Sequence, residues 1–243
     1  NVAQMLDKSS YSISLGNTHQ DGIISSTGMD RYNVKVSADT KLTNNWSSGF
    51  TANYITTSID KAVTSGNGLL RTVYAAPPSY DLAGIPSHVD GNPYTQNSFR
   101  GSFDNAYWAM ENNKFTEDTN RFFGNVYASY QTDFGTTNHK LNAKYMVGVD
   151  AYTTHYVDSY GYGSNTGGGR GQIENYGWTN ATYNSLLTIN YDWHINEDWG
   201  LNAVVGNEII QSNRKKYYEY GTNYNFPGWN HINNATTQQT EEE

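Results

Sequence analysis

The stretch Lys140-Leu-Asn-Ala-Lys-Tyr-Met-Val-Gly-Val-Asp150 decides the fold. Leu141, Ala143, Tyr145, Val147 and Val149 fall on one face, and Lys140, Asn142, Lys144 and Asp150 on the other, because successive strand side chains point to opposite sides. Met146 breaks the polar face. One face requires lipid or a core; the other requires water. Segments of roughly ten residues with this alternation recur along the chain, joined by turns that are short, then long, then short again. That is the pattern of a transmembrane β-barrel, with tight turns on one side of the membrane and large loops on the other.

Working outward, the alternation predicts strands over Tyr11 to Asn17, Arg31 to Lys41 and Ser48 to Thr57, with Thr43-Asn44-Asn45 as the turn of a hairpin. Further strands are expected from Phe122 to Phe134, through the Leu141 segment, around Asn184 to His194, and from Leu201 to Gln211. Short turns fall at Gly135-Thr136-Thr137-Asn138 and Asn196-Glu197-Asp198. An irregular connection of about 60 residues, Ile59 to Asp118, and a glycine-rich loop from His155 to Gly177 separate the hairpins. The tail after Arg214 is aromatic and Asn-rich and fits no element. Trp46, Trp193 and Trp199 lie near two of the short turns, as half of an interfacial aromatic girdle would.

Composition sets the bounds. The mean hydropathy is negative, and no stretch approaches the roughly 20 apolar residues of a spanning helix. A β-barrel escapes that argument, since only every second strand residue must be apolar. With 21 Tyr, 8 Phe and 6 Trp at 16% charge, the chain is unlike a disordered one. The absence of cysteine removes disulfides, thiol nucleophiles and Cys-based zinc sites. A net charge of -8 gives no basic footprint for nucleic acid. The opening Asn1-Val2-Ala3-Gln4 has no charged leader and apolar core, so either a signal peptide has been removed or the chain begins inside a longer protein. A soluble β-sandwich or lectin-like domain remains the alternative on pattern alone.

Four segments add a resemblance. Gly68-Leu-Leu-Arg-Thr-Val-Tyr-Ala-Ala-Pro-Pro-Ser-Tyr-Asp-Leu82, Arg100-Gly-Ser-Phe-Asp-Asn-Ala-Tyr-Trp-Ala109 and Glu117-Asp-Thr-Asn-Arg-Phe-Phe-Gly-Asn-Val-Tyr-Ala-Ser-Tyr-Gln131 resemble the SusC/RagA family of TonB-dependent outer-membrane transporters, as does Thr27-Gly-Met-Asp-Arg-Tyr-Asn-Val-Lys35 in outline. The likeness is firmest from Tyr11 to Gln131 and weakens beyond His155. It implies an all-β antiparallel transmembrane segment with long extracellular loops, supplying about seven or eight strands of a plugged barrel of roughly 22. Residues 1–243 would then be the early part of such a barrel, without the plug, the TonB-binding segment or the closing C-terminal strands.

The resemblance also implies a role: active import of oligosaccharides or peptides across the outer membrane of a Gram-negative cell. A SusD-like surface lipoprotein would close the mouth, and TonB would act through the plug. Asn33, Lys35, Asp39, Asn142 and Lys144 would face a hydrated lumen, or bond to a plug or neighbouring strand, while Tyr32, Val34, Val147 and Ile189 would face lipid. For ligand the candidates are the long-loop aromatics Tyr74, Tyr80, Tyr94, Phe99, Tyr107 and Trp108, whose flat faces can bury sugar or peptide carbon surface. The same rings could instead pack the loop or dock the lipoprotein. Pro77-Pro78 reads as architectural.

Enzymatic readings find little support. No convincing acid-base carboxylate pair stands out, and the six histidines lack HExxH or other metal-ligand spacing, so no catalytic residue, metal or cofactor is expected. Gly167-Gly168-Gly169-Arg170-Gly171 lacks the Lys-Ser/Thr of a phosphate-binding loop and reads as a flexible outer loop. Asn45-Trp46-Ser47 and Asn180-Ala181-Thr182 match a glycosylation acceptor pattern that is incidental in a bacterial barrel. The competing non-transport reading is a soluble, aromatic-rich glycan-binding or adhesin domain.

Overall fold

A computed structural model of the protein describes residues 1–63, 68–136 and 138–243. Thr137, within the predicted turn 135–138, lies outside the described residues, as do residues 64–67 of the long connection.

Nine strands form one antiparallel sheet: β1 (Val2–Met5), β2 (Ser9–Asp21), β3 (Gly28–Lys41), β4 (Trp46–Lys61), β7 (Lys114–Thr132), β8 (His139–Tyr160), β9 (Gln172–His194), β10 (Gly200–Tyr224) and β11 (Ala235–Glu242). Each strand pairs with its neighbours in chain order, the meander that hairpin connections impose. Between β4 and β7 lie helix α1 (Leu69–Ala75), a ribbon of β5 (His88–Val89) with β6 (Asn92–Gln96), and helix α2 (Ala106–Asn112).

The tight turns all lie at one end, between β1 and β2, β3 and β4, β7 and β8, and β9 and β10. Two of them share a device. Thr43 Oγ1 accepts from the amides of Asn45 (3.2 Å) and Trp46 (3.0 Å), and Asn196 Oδ1 accepts from Asp198 (3.0 Å) and Trp199 (2.9 Å). A side-chain oxygen thus satisfies the donors that a reversal strips from the ladder. The longer connections gather at the opposite end.

Register divides the sheet into the two faces that the alternation predicts. Val34 pairs with Leu15 and Tyr54, Tyr54 with Phe122, and Val126 with Phe50 and Val147, so these share one face. Lys35 pairs with Asn53, Asn53 with Phe123, Phe123 with Asp150, and Asp150 with Thr182 on the other. The polar face is concave, holding a shallow cavity of about 730 Å³ lined by Lys35, Asn53, Phe123, Asp150, Thr182 and Asn184.

The apolar face is a band of limited height. On β4 it runs from Trp46 to Tyr54 and on β7 from Phe122 to Tyr130, the 9 to 11 or so residues a tilted strand needs to cross hydrocarbon. Beyond it the same face turns polar on β4, β7, β8 and β9 along the row Thr56, Asn120, Thr153 and Thr179, while on β3 the band extends to Tyr32 in that same row. Among the described residues no second layer covers the band: Tyr32, Phe50, Tyr54, Val126 and Tyr145 are 43 to 53% exposed. The buried apolar residues, Phe103, Ala106, Trp108, Phe115, Ile173, Tyr224 and Ala235, all belong to the long-loop end.

Three expectations need correction. The sheet has nine strands where seven or eight were expected, because β1 is only four residues long and β11 is short and polar with little alternation. The predicted loop from His155 to Gly177 contracts to residues 161–171, since β8 and β9 pair from Tyr160 and Gln172 onward. The unplaced tail is the upper half of β10, which continues to Tyr224, followed by a short 3-10 turn (Ile232–Asn234) and β11. The strands therefore rise well above the apolar band, and polar outward residues there looked like loop.

Candidate functional site

The long-loop end holds two constructions. The first is a latch between connections. Asn105 caps α2, its Oδ1 accepting from the Tyr107 (2.9 Å) and Trp108 (3.2 Å) amides. That cap fixes Trp108, fully buried, with its indole N–H donating to the Pro93 carbonyl at 2.8 Å. Beside it the buried Asp104 carboxylate accepts from Gln96 Nε2 (2.8 Å), Ser164 Oγ (2.6 Å) and the Asn165 amide (2.7 Å). Three donors replace the water that the carboxylate loses, so the connection 62–113 is tied to the turn 161–171. Gly163 sits at φ +99° where a Cβ would collide with the Tyr94 carbonyl, so the approach requires glycine.

The glycine run 167–171 is not the flexible loop expected of it. Gly168, Gly169 and Gly171 all take positive φ, and Gly169 bonds Ser164 and Gly163 through its backbone, closing a compact turn. Pro77 and Pro78 end α1 and open a turn in which the Tyr80 amide donates to the Pro77 carbonyl.

The long-loop aromatics are dispersed by this packing. Tyr80 leans on Phe99 (5.6 Å between ring centroids), and Phe99 on Phe103 (5.5 Å). Tyr94 is half-buried with its hydroxyl toward Gly228, and Trp108 is enclosed. Tyr74 on α1 (83% exposed) and Tyr107 on α2 (43%) present open rings.

The second construction lies on the concave wall above the level of the apolar band. Tyr156 and Tyr176 stack across β8 and β9, 4.8 Å apart and 6° from parallel, and Trp178 continues the series at 5.4 Å from Tyr156. Lys61 Nζ lies 4.4 Å over the Tyr156 ring and 3.6 Å from Glu117. Arg214 covers Trp178 at 4.9 Å. The Tyr176 hydroxyl donates to Asp158 Oδ2 at 3.1 Å. Burial, then the neighbouring Asp158 charge, push the Tyr176 phenol well above its ordinary range. Burial also raises the Glu174 carboxyl, opposed by a hydrogen bond from Tyr218 and reinforced by Asp158.

Of these groups Lys61, Asp158, Glu174 and Tyr176 line a groove of about 640 Å³, together with Phe115, Tyr160, Ile23, Ile24 and Val63. None of its aromatic or acidic residues was singled out from the sequence. The available signal was the i, i+2 spacing Tyr156-Asp158-Tyr160 and Glu174-Tyr176-Trp178, hidden because both triplets fell in an assumed loop. Among the described residues, no group of three or more His, Cys, Asp or Glu could hold a metal ion.

No family model matches the chain, and no curated protein matches it. Solved structures do. The chain is similar to chains in structures of the RagAB peptide importer in the closed-closed state (14% identity, TM-score 0.73) and the open-open state (14%, TM-score 0.74), and of the RagAB peptide transporter (12%, TM-score 0.73). The alignments cover 99% of this chain but only 27 to 28% of those chains. This chain thus spans little more than a quarter of the length of the structures it matches, and at these identities the likeness establishes a shared fold: a large antiparallel β wall with elaborated connections at one end.

Proposed function

We propose that the chain forms part of the wall and the extracellular face of an outer-membrane, TonB-dependent importer of peptides or oligosaccharides. The observation that carries this reading is the uncovered apolar band, about one membrane thickness high, backed by a polar concave face. A soluble sandwich would cover that band with a second sheet. The strands that rise above it, and the shared fold with RagAB chains, support the same reading.

In this proposal, residues 1–243 belong to a larger barrel whose plug and remaining strands are supplied by other parts of the protein. The residues from Trp46 to Tyr54 and from Phe122 to Tyr130 cross the outer membrane, and Tyr32, Val34, Val147 and Ile189 meet lipid. Asn33, Lys35, Asp39, Asn142 and Lys144 face the hydrated interior. The latched connections form a rigid rim for a SusD-like lipoprotein, TonB acts through the plug, and the protein catalyses no reaction. Of the long-loop aromatics, Tyr74 and Tyr107 are the proposed contacts for cargo or lid, since their rings are open.

Deleting the gene and testing growth on a panel of peptides and oligosaccharides as sole nutrient tests the reading. Loss of growth on one class, restored by the intact gene but not by one lacking the plug, is expected. Unchanged growth on every nutrient would overturn it.

A further inference from the structure

We infer that the groove between β8, β9 and the connection from β2 to β3 receives the lysine or arginine side chain of a peptide cargo. The inference deepens the importer reading and rests on it. Three features of the groove favour a long side chain with a cationic head.

The walls are amphipathic. Phe115, Tyr160 and Tyr176 contribute ring surface and Ile23, Ile24 and Val63 aliphatic surface to the same lining, suited to the aliphatic stem of such a side chain. Two carboxylates, Asp158 and Glu174, line the same space from adjacent strands, where β8 and β9 pair them directly. The cation among the lining residues is Lys61, and its ammonium is directed at Glu117 and the Tyr156 ring. The groove therefore keeps uncompensated negative charge within an aromatic enclosure, where a cation gains both a charge-assisted hydrogen bond and the face of a ring.

Electrostatics agree with that geometry. Burial raises the Glu174 carboxyl, against a hydrogen bond from Tyr218 and with the Asp158 charge adding to it, and an arriving ammonium or guanidinium offsets that charge. Anionic side chains would meet the same two carboxylates and be excluded. Selection would thus be made on the barrel wall, below the latched connections, and not only at the lid.

The test uses the protein in detergent, extracted from the membrane that carries it, and three pentapeptides: Ala-Ala-Lys-Ala-Ala, the same peptide with norleucine at the centre, and the same with glutamate. Norleucine keeps the lysine stem and removes the ammonium. Calorimetric titration should rank lysine about tenfold tighter than norleucine, the order expected of one charge-assisted contact, with glutamate weakest. Raising the salt concentration should narrow the lysine advantage. The double variant Asp158→Asn with Glu174→Gln should bind lysine and norleucine peptides alike.

Equal binding of the lysine and norleucine peptides to the unaltered protein would overturn the inference, with no variant needed. Retention of the tenfold ratio by the double variant would also overturn it. Uptake by whole cells separates the two levels. If all three peptides enter equally, the importer stands and the groove inference falls; if none is bound or taken up, the peptide-importer reading falls with it.

Discussion

Asp104 shows how single residues organise the long-loop end. Its carboxylate is nearly inaccessible and accepts three hydrogen bonds from two connections that are distant in sequence. Replacing it by alanine strands those donors, a loss on the order of 1–3 kcal/mol. Asp104→Ala should therefore make the segments 68–113 and 161–171 open to limited proteolysis, while the strands of the large sheet stay protected. Equal protease resistance in the variant would sink the latch. His19 offers a second residue-scale test. Its Nδ1 lies 2.7 Å from Asp30 and its Nε2 3.3 Å from Asp21, and the hydrogen bond to Asp30, foremost, raises its pKa above the ordinary value of 6.5. A raised folded pKa means the pair contributes fully below the unfolded value and loses its effect as pH climbs through the folded one. A titration of the His19 ring by NMR should show protonation persisting above pH 6.5, and Asp30→Asn should lower it.

At the scale of elements, the outward face of β4, β7 and β8 changes from apolar to polar at one level, at Thr56, Asn120 and Thr153. An arginine facing hydrocarbon near mid-height costs about 2–4 kcal/mol, against roughly 0–1 kcal/mol near the boundary. Val126→Arg should thus reduce folding into vesicles markedly, and Thr56→Arg, on the polar row above the band, should be nearly neutral. Similar folding of both would mean the band does not face lipid. The same change of level explains what the sequence hid. Period-2 alternation was legible wherever one face met water and the other did not, as in Tyr32 to Lys41 and Leu141 to Val149. Just above the band Thr153-Thr154-His155 and Thr179-Asn180 are polar on both faces and carry no alternation, although they lie in continuous strands. Tyr224 marks the far end of that hidden region. Its hydroxyl is buried against Ser159, and burial pushes its pKa up to about 12.

At the scale of the molecule, the sheet ends in two edges. β11 pairs only with Tyr217 to Tyr224, so β10 from Gly200 to Lys215 carries an unpaired outer edge with Val204, Val205, Ile209 and Ile210 all more than 60% exposed. An open edge in lipid would leave backbone groups unpaired at several kcal/mol each. Residues 1–243 expressed alone, without detergent, should therefore associate or precipitate. A monodisperse soluble monomer by light scattering would count against the membrane reading and for a soluble binding domain.

The sequence by itself determined the class of fold, the two faces and the short turns at 43–45 and 196–198, but not the turn between β1 and β2. These follow from local rules: side chains alternate along a strand, and Thr43 or Asn196 closes a turn through its own neighbours. It also carried the long-loop aromatics, but not their fate. Trp108 and Tyr107 are adjacent and chemically alike, yet one is enclosed and the other open, because α2 turns one side toward Pro93 and Gly163. Only the tertiary structure decided that, and only it joined Asp158 with Glu174 and Tyr156 with Tyr176 and Trp178. Those pairings depend on the register between two strands, a long-range property that no single segment encodes.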